Sequence, residues 1–193
     1  MSRRGTGGRL GRECASLLLR GVVGGTMIAH GVKHGRSLKG TAGWFGFIGF
    51  RQPELQAKAS AVVEVGAGTL LLAGAATPAA AGAVVGTMGV AARSVHAPNG
   101  FFITAEGWEY VANLAGAAVA LAGIGPGRFS VDHALGLDRR ISGGRAAAAA
   151  AVLGLVGATA QLAVFWRRPT PEPAPAEPAP VAVGDLPGEP VAG

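Results

Sequence analysis

Titratable residues interrupt four otherwise apolar stretches of this chain. Arg20 and His30 fall in the first, Glu64 in the second, Arg93 near the end of the third, and Glu106 and Glu109 at the start of the fourth. A charge at membrane depth costs about 2.5–3.5 kcal/mol on insertion scales, so such side chains face a bundle interior and find partners there. Carboxylates, imidazoles and guanidinium groups gathered in one place support two arrangements. One is a hydrogen-bonding and proton-relay site for an amphipathic small molecule. The other is a salt-bridge network that locks helix register. No motif among them fixes a reaction.

The elements that carry these residues follow from hydropathy. The 193 residues are 49% hydrophobic and 15% charged, with a mean hydropathy of +0.38. That is too apolar for an ordinary soluble domain of this size. Much of the apolar content is Ala and Gly, which allow close helix approach but give each span weak hydropathy, so every span leans on its neighbours. A basic arm over 1–12 precedes spans at about 13–35, 58–76, 78–96 and 106–124. Thr77-Pro78 separates the second and third spans, which form an antiparallel hairpin with proline at the start of its second helix. The long first link holds Gly40-Thr41-Ala42-Gly43-Trp44-Phe45, too short to span and read as interfacial or re-entrant. A fifth apolar stretch over 145–166 is long enough for roughly 30 Å of hydrocarbon. The expected fold is an all-α membrane protein: a four-helix transmembrane bundle over 13–135, a fifth transmembrane helix over 145–166, and a Pro/Ala-rich tail over 169–193. The tail cannot bury a core and is read as disordered or extended.

Antiparallel packing then decides which charges meet. His30 stands just before the end of span one and Glu64 just after the start of span two, so both lie roughly 8–9 Å below one surface. Arg93 and His96 close span three there, and Glu106 and Glu109 open span four. The expected polar pocket is His30, Lys33, Glu64, Arg93, His96, Glu106 and Glu109, under an aromatic lid of Trp44, Phe45 and Trp108. Polar groups beneath aromatics suit an amphipathic ligand. They equally suit a register lock with interfacial anchors. Arg20 lies roughly 15 Å along its helix from His30. Its expected partners are carbonyls near Gly125-Pro126-Gly127, or headgroups reached by snorkelling.

Several classes drop out. The net charge of +6 comes mostly from arginines that flank spans, with no basic amphipathic helix and no stacking motif, so the surface served is the lipid bilayer and not nucleic acid. A single cysteine, Cys14, excludes an intramolecular disulfide and a CxxC redox pair. His30 and His34 have i,i+4 spacing, but no HExxH pattern accompanies them and no metal site is expected. Gly125-Pro126-Gly127-Arg128 lacks the strand and the Lys-Ser/Thr ending of a phosphate loop. Arg3-Arg4 hints at export, yet Arg20 interrupts the apolar region a cleaved signal peptide needs. Basic residues divide almost evenly between the two sides. The first helix usually sets orientation, which places the N-terminus inside.

Taken in order, Arg20, His30-Gly31-x-Lys33, Gly40-Thr41-x-x-Trp44-Phe45, Glu64-x-Gly66-x-Gly68-x-Leu70-Leu71-Leu72 and Gly125-Pro126-Gly127-Arg128-Phe129-Ser130-x-Asp132 resemble the DoxX family of small bacterial membrane proteins. The resemblance covers about 14–135. It implies a four-helix bundle in the bacterial plasma membrane with a cytoplasmic N-terminus. It also implies redox chemistry, since some relatives are subunits of thiosulfate:quinone oxidoreductases and others belong with complexes that handle oxidative or thiol stress. On that footing the protein is a quinone-interacting or accessory subunit of a membrane redox complex. It has no covalently bound cofactor, and its partners are quinone, oxidoreductase subunits or a second copy of the chain. In the quinone reading His30 and Arg93 hydrogen-bond the quinone oxygens and Glu64 or Glu109 relays a proton. In the alternative the protein is a non-catalytic membrane scaffold or assembly partner whose charges only lock the bundle. Either way, cell fractionation should leave it wholly in the membrane after carbonate extraction. Recovery in the soluble fraction would overturn the span assignments.

Overall fold

The computed structural model describes residues 4–169, with side chains from Gly8 onward. Arg3 and the Pro/Ala-rich tail beyond Pro169 lie outside the described residues. Seven α-helices follow one another: α1 Arg4–Arg36, α2 Leu38–Phe47, α3 Pro53–Ala73, α4 Thr77–Ala91, α5 Glu109–Ile124, α6 Val131–Ala134 and α7 Gly143–Phe165. Among the described residues there is no strand; Phe50 and Trp166 form an isolated bridge. Three helices, α1 from Gly8, α3 and α7, are long and apolar enough to cross a membrane. α4 continues past Ala91 through a π-helical turn, Ala92–His96, and a 3-10 turn, Ala97–Asn99. α5 is a shorter apolar helix.

The chain thus forms the expected all-α membrane fold. α1 packs on α3, α4 on α3 and α5, and α5 returns to α1, closing a four-helix bundle; α7 lies in the groove between α4 and α5. Leu17, Leu18 and Val22 of α1, Val62 of α3, and Leu153 and Val156 of α7 are exposed. Facing acyl chains, these stripes sit in their own solvent.

The core side chains are small. Val23 and Met27 meet Ala67 and Leu71, and behind them lie Ala81, Val84, Leu114, Ala118, Leu121 and Ala150. With little volume between them, the helices approach closely, and glycine is where they touch. A Cβ on Gly68 would sit 2.6 Å from the Gly24 carbonyl oxygen, and one on Gly31 would sit 2.9 Å from that of Ala61. The α4–α7 seam repeats the device, with Gly82 and Gly86 facing Ala150 and Gly154. This is small-xxx-small packing, which lets two backbones meet without a hydrophobic driving force.

Helix ends differ from the sequence reading in ways that move the polar residues. Residues 4–12, read as an arm, are the first turns of α1. Arg12 is held there because its Nε donates to the Ile124 carbonyl at 2.7 Å. α3 begins at Pro53 and not near 58, since proline at its first turn needs no N–H partner. Glu64 therefore lies roughly 16 Å along its helix, not 8–9 Å. α5 begins at Glu109, which leaves Glu106 in the loop with φ of 60°. The aromatic link is α2, ten residues long and too short to span.

The far end of α7 fastens onto the loop after α2. Arg51 N donates to Phe165 O at 2.7 Å, Arg167 N to Gly49 O at 3.0 Å, and Trp166 Nε1 to Ile48 O at 2.8 Å. The α4–α7 seam makes a paired prediction. Gly154→Ala puts a Cβ 2.5 Å from Val85, and should lower stability by about 1–3 kcal/mol through overpacking. Gly157→Ala meets nothing within 4 Å, and should be neutral or stabilise by about 0.5–1 kcal/mol. Thermal unfolding of detergent-purified protein measures both, and equal effects would contradict the seam.

Candidate functional site

Two polar centres sit at opposite ends of the bundle. The first is built around Arg20, which is buried. α3 stops at Ala73 because Gly74 turns left-handed with φ of 64°; Gly74 N caps Leu71 O at 3.0 Å and Ala75 N caps Leu70 O at 2.8 Å, and the carbonyls of the last turn keep room for further donors. Arg20 donates to two of them: Nε to Leu71 O at 3.1 Å, which it shares with Gly74 N, and Nη2 to Leu72 O. Gly125 and Gly127, at φ of 91° and 79°, fold the chain after α5 back toward α1. Nη1 then donates to Pro126 O at 3.0 Å and Phe129 O at 2.7 Å. Arg12, Ser16 and Arg20 share one face of α1, and Ser16 Oγ donates to Gly125 O at 2.9 Å. The expected partners of Arg20 are therefore met as carbonyls and not as headgroups.

Asp132 completes this end. Its carboxylate accepts from Ala76 N at 2.7 Å, Thr77 N at 2.9 Å and Thr77 Oγ1 at 2.8 Å. It caps the N-terminus of α4 from a distant loop, satisfying orphan donors and complementing the helix dipole.

The second centre is around Glu64, also buried. Ser60 Oγ donates to Glu64 Oε1 at 2.7 Å, and His34 Nδ1 lies 3.2 Å from Oε2 and 2.9 Å from Ser60 Oγ. The imidazole partner is His34, where the sequence reading placed His30. Gly31 abuts α3; at 100° per residue His34 lies roughly 60° around the helix from it and His30 roughly 100°. His30 instead turns to α5, with Nε2 3.4 Å from the Tyr110 hydroxyl and the rings stacked at 6.2 Å. Phe45 is buried over this centre, its ring 6.4 Å from that of His34 and 5.3 Å from Trp44.

The other residues of the expected pocket stand elsewhere. The Arg93 guanidinium lies 4.7 Å over the Trp166 ring. α4 faces α7, so Arg93 is carried away from Glu64, which faces α1. His96 Nδ1 is 2.6 Å from the Glu106 backbone oxygen, and Glu109 Oε2 accepts from Ile103 N at 3.0 Å. These contacts shape the α4–α5 loop. Trp108 packs edge-on against Phe101 at 4.8 Å, apart from Trp44 and Phe45. Lys33 is exposed. Ser60, which the sequence reading passed over, had a signal: it lies one turn before Glu64 on the same helix face.

Two cavities accompany these centres. One, of about 330 Å³, lies between α4, α5 and α7; Met88, Val111 and Leu155 line it, with Arg93 and Trp108 beside them. The other, of about 1170 Å³, opens at the Arg20 end. Neither is lined by His30, His34 or Glu64. Among the described residues no group of three or more His, Cys, Asp or Glu is placed to hold a metal.

The DoxX family model matches residues 15–97. That segment is similar to a DoxX domain. It runs from α1 through the π-helical turn after α4, and holds Arg20, His34, Ser60 and Glu64. Gly125–Asp132, which the resemblance included, lies beyond the matched residues, as do α5 and α7. Comparison with curated proteins and with solved structures returned no match. The chain is a membrane protein in which helices from outside the DoxX-like segment complete the bundle. Arg20→Met should lower stability by about 1–3 kcal/mol for each carbonyl left buried without a donor. Arg20→Lys should recover only part, because an ammonium lacks the planar fork. Thermal midpoints report both; an unchanged midpoint for Arg20→Met would show that the carbonyls are satisfied without it.

Proposed function

We propose that the protein is a non-catalytic accessory subunit of a redox complex in the bacterial plasma membrane, with its N-terminus in the cytoplasm. The observation that carries this reading is that the fold consumes Arg20 and Asp132 wholly and Glu64 in part. Arg20 gives its donors to four carbonyls, Asp132 receives three donors, and Glu64 accepts from Ser60 through Oε1, while its Oε2 has no hydrogen bond and only the His34 ring nitrogen 3.2 Å away. Neither cavity reaches Glu64. Groups spent on register are not free for a substrate. The redox setting and the membrane rest on the DoxX resemblance, and the orientation on the rule that the first helix dominates.

A second reading has its own observation. The cavity of about 330 Å³ is almost wholly apolar, with one cation, Arg93, and one indole, Trp108, beside it. A quinone ring would lie among Met88, Val111 and Leu155, with Arg93 donating to one oxygen. In this reading quinone contact moves from Glu64 to Arg93.

Purification in mild detergent, with mass spectrometry of co-purifying proteins and quinones, separates the two. The accessory reading expects an oxidoreductase subunit and no quinone. A quinone retained by the parent and lost from Arg93→Ala supports the second. Glu64 is tested alongside. Glu64→Gln should keep most of the stability, whereas Glu64→Leu should cost about 1–3 kcal/mol by orphaning Ser60 and His34. Loss of quinone-linked reductase activity in Glu64→Gln membranes at unchanged stability would sink the accessory reading.

A further inference from the structure

We propose that the cleft at the Arg20 end of the bundle binds the phosphate headgroup of an anionic phospholipid. The cleft measures about 1170 Å³ and lies between the starts of α1, α4 and α7, the end of α5 and the loop that carries α6. Arg9, Arg12, Arg128 and Arg140 line it. Each of its carboxylates has at least one donor, with Asp138 Oδ1 left without one. Glu13 Oε2 accepts from Arg128 N at 2.9 Å, Asp132 from Ala76 and Thr77, and Asp138 Oδ2 pairs with His133 Nδ1 at 2.7 Å.

The four guanidinium groups are differently placed. Among the described residues none of them forms an ion pair with a carboxylate. Arg12 gives Nε to a carbonyl and keeps its terminal N–H groups, and Arg128 lies 5.2 Å over the Phe129 ring. Arg9 and Arg140 are exposed. The cleft is therefore rich in planar, permanently charged donors, the group that matches phosphate oxygens.

Two further observations select a lipid over a soluble anion. Leu10, Phe129 and Ile141 are exposed at the cleft, where acyl chains would cover them and free phosphate would not. Arg12 is level with Ile124, the last residue of α5, so the arginines stand where the spans end and headgroups begin. A phosphate here would join α1, through Arg9 and Arg12, to the loop after α5, through Arg128 and Arg140. Binding should therefore stabilise the fold. The inference is independent of the accessory-subunit reading.

The test uses the full chain in mild detergent, titrated with phosphatidylglycerol or phosphatidylcholine, and read by native mass spectrometry and thermal midpoint. Phosphatidylglycerol should be retained about tenfold more strongly and should raise the midpoint. The Arg9→Ala/Arg140→Ala variant should lose most of that preference while keeping its lipid-free midpoint. Lys33→Ala/Lys39→Ala, in the last turn of α1 and the first of α2, should keep the preference. Equal retention of the two lipids overturns the proposal, as does equal loss in both variants. Inorganic phosphate alone raising the midpoint as far as phosphatidylglycerol would overturn the lipid assignment.

Discussion

A guanidinium held at membrane depth stays charged and must be surrounded by oxygen. Arg20 finds that oxygen in two places that only exist because helices stop. Two of its acceptors are the last carbonyls of α3, and two come from the turn after α5. Gly74 ends α3, and no other residue type fits: a Cβ there would lie 2.5 Å from Ser130 and 3.1 Å from the Arg20 guanidinium carbon. The loop so placed brings Asp132 onto the first N–H groups of α4. One buried cation thereby fixes the relative heights of α1, α3, α4 and α5.

Once the heights are set, small residues set the distances. Gly24, Gly31 and Gly68 draw α1 and α3 together, and the side chains that remain opposite each other at the other end are His34, Ser60 and Glu64. The two ends differ in kind. At one, a fixed charge is answered by backbone carbonyls. At the other, a carboxylate faces a hydroxyl and an imidazole beneath a buried phenyl ring. The second end leaves one carboxylate oxygen of Glu64 without a hydrogen bond.

How much of this was legible follows from the range of each signal. The carbonyl partners of Arg20 were readable because a cation in an apolar run has few choices, and Gly125-Pro126-Gly127 is where a helix must release its carbonyls. The span pattern and the short hairpin at Thr77-Pro78 were readable for similar local reasons. The exchange of His30 for His34 was not. The two lie one turn apart, and roughly 40° of rotation about Gly31 decides between them. The depth of Glu64 depended on Pro53 starting a helix inside what reads as a loop. The Asp132 cap joins residues 55 apart, with nothing local to announce it. Arg93 was misplaced because α7 was read as an addition to the bundle. In so Ala- and Gly-rich a chain small-xxx-small spacing occurs almost everywhere, so its use between α4 and α7 leaves no mark.

The DoxX match ends before α5, but the fold does not. α5 closes the ring back to α1 and supplies Tyr110 to His30. α7 supplies Trp166 to Arg93, and its last turn holds the chain at Ile48, Gly49 and Arg51. That loop positions Phe50, which packs with Phe45, Ala57, Val90 and Ala158 in a second core beneath α2. The cover over His34 and Glu64 is thus held down by a helix from outside the domain that contains them. In this chain the cover over the polar centre is held in place by contacts from the residues that end α7 and follow it.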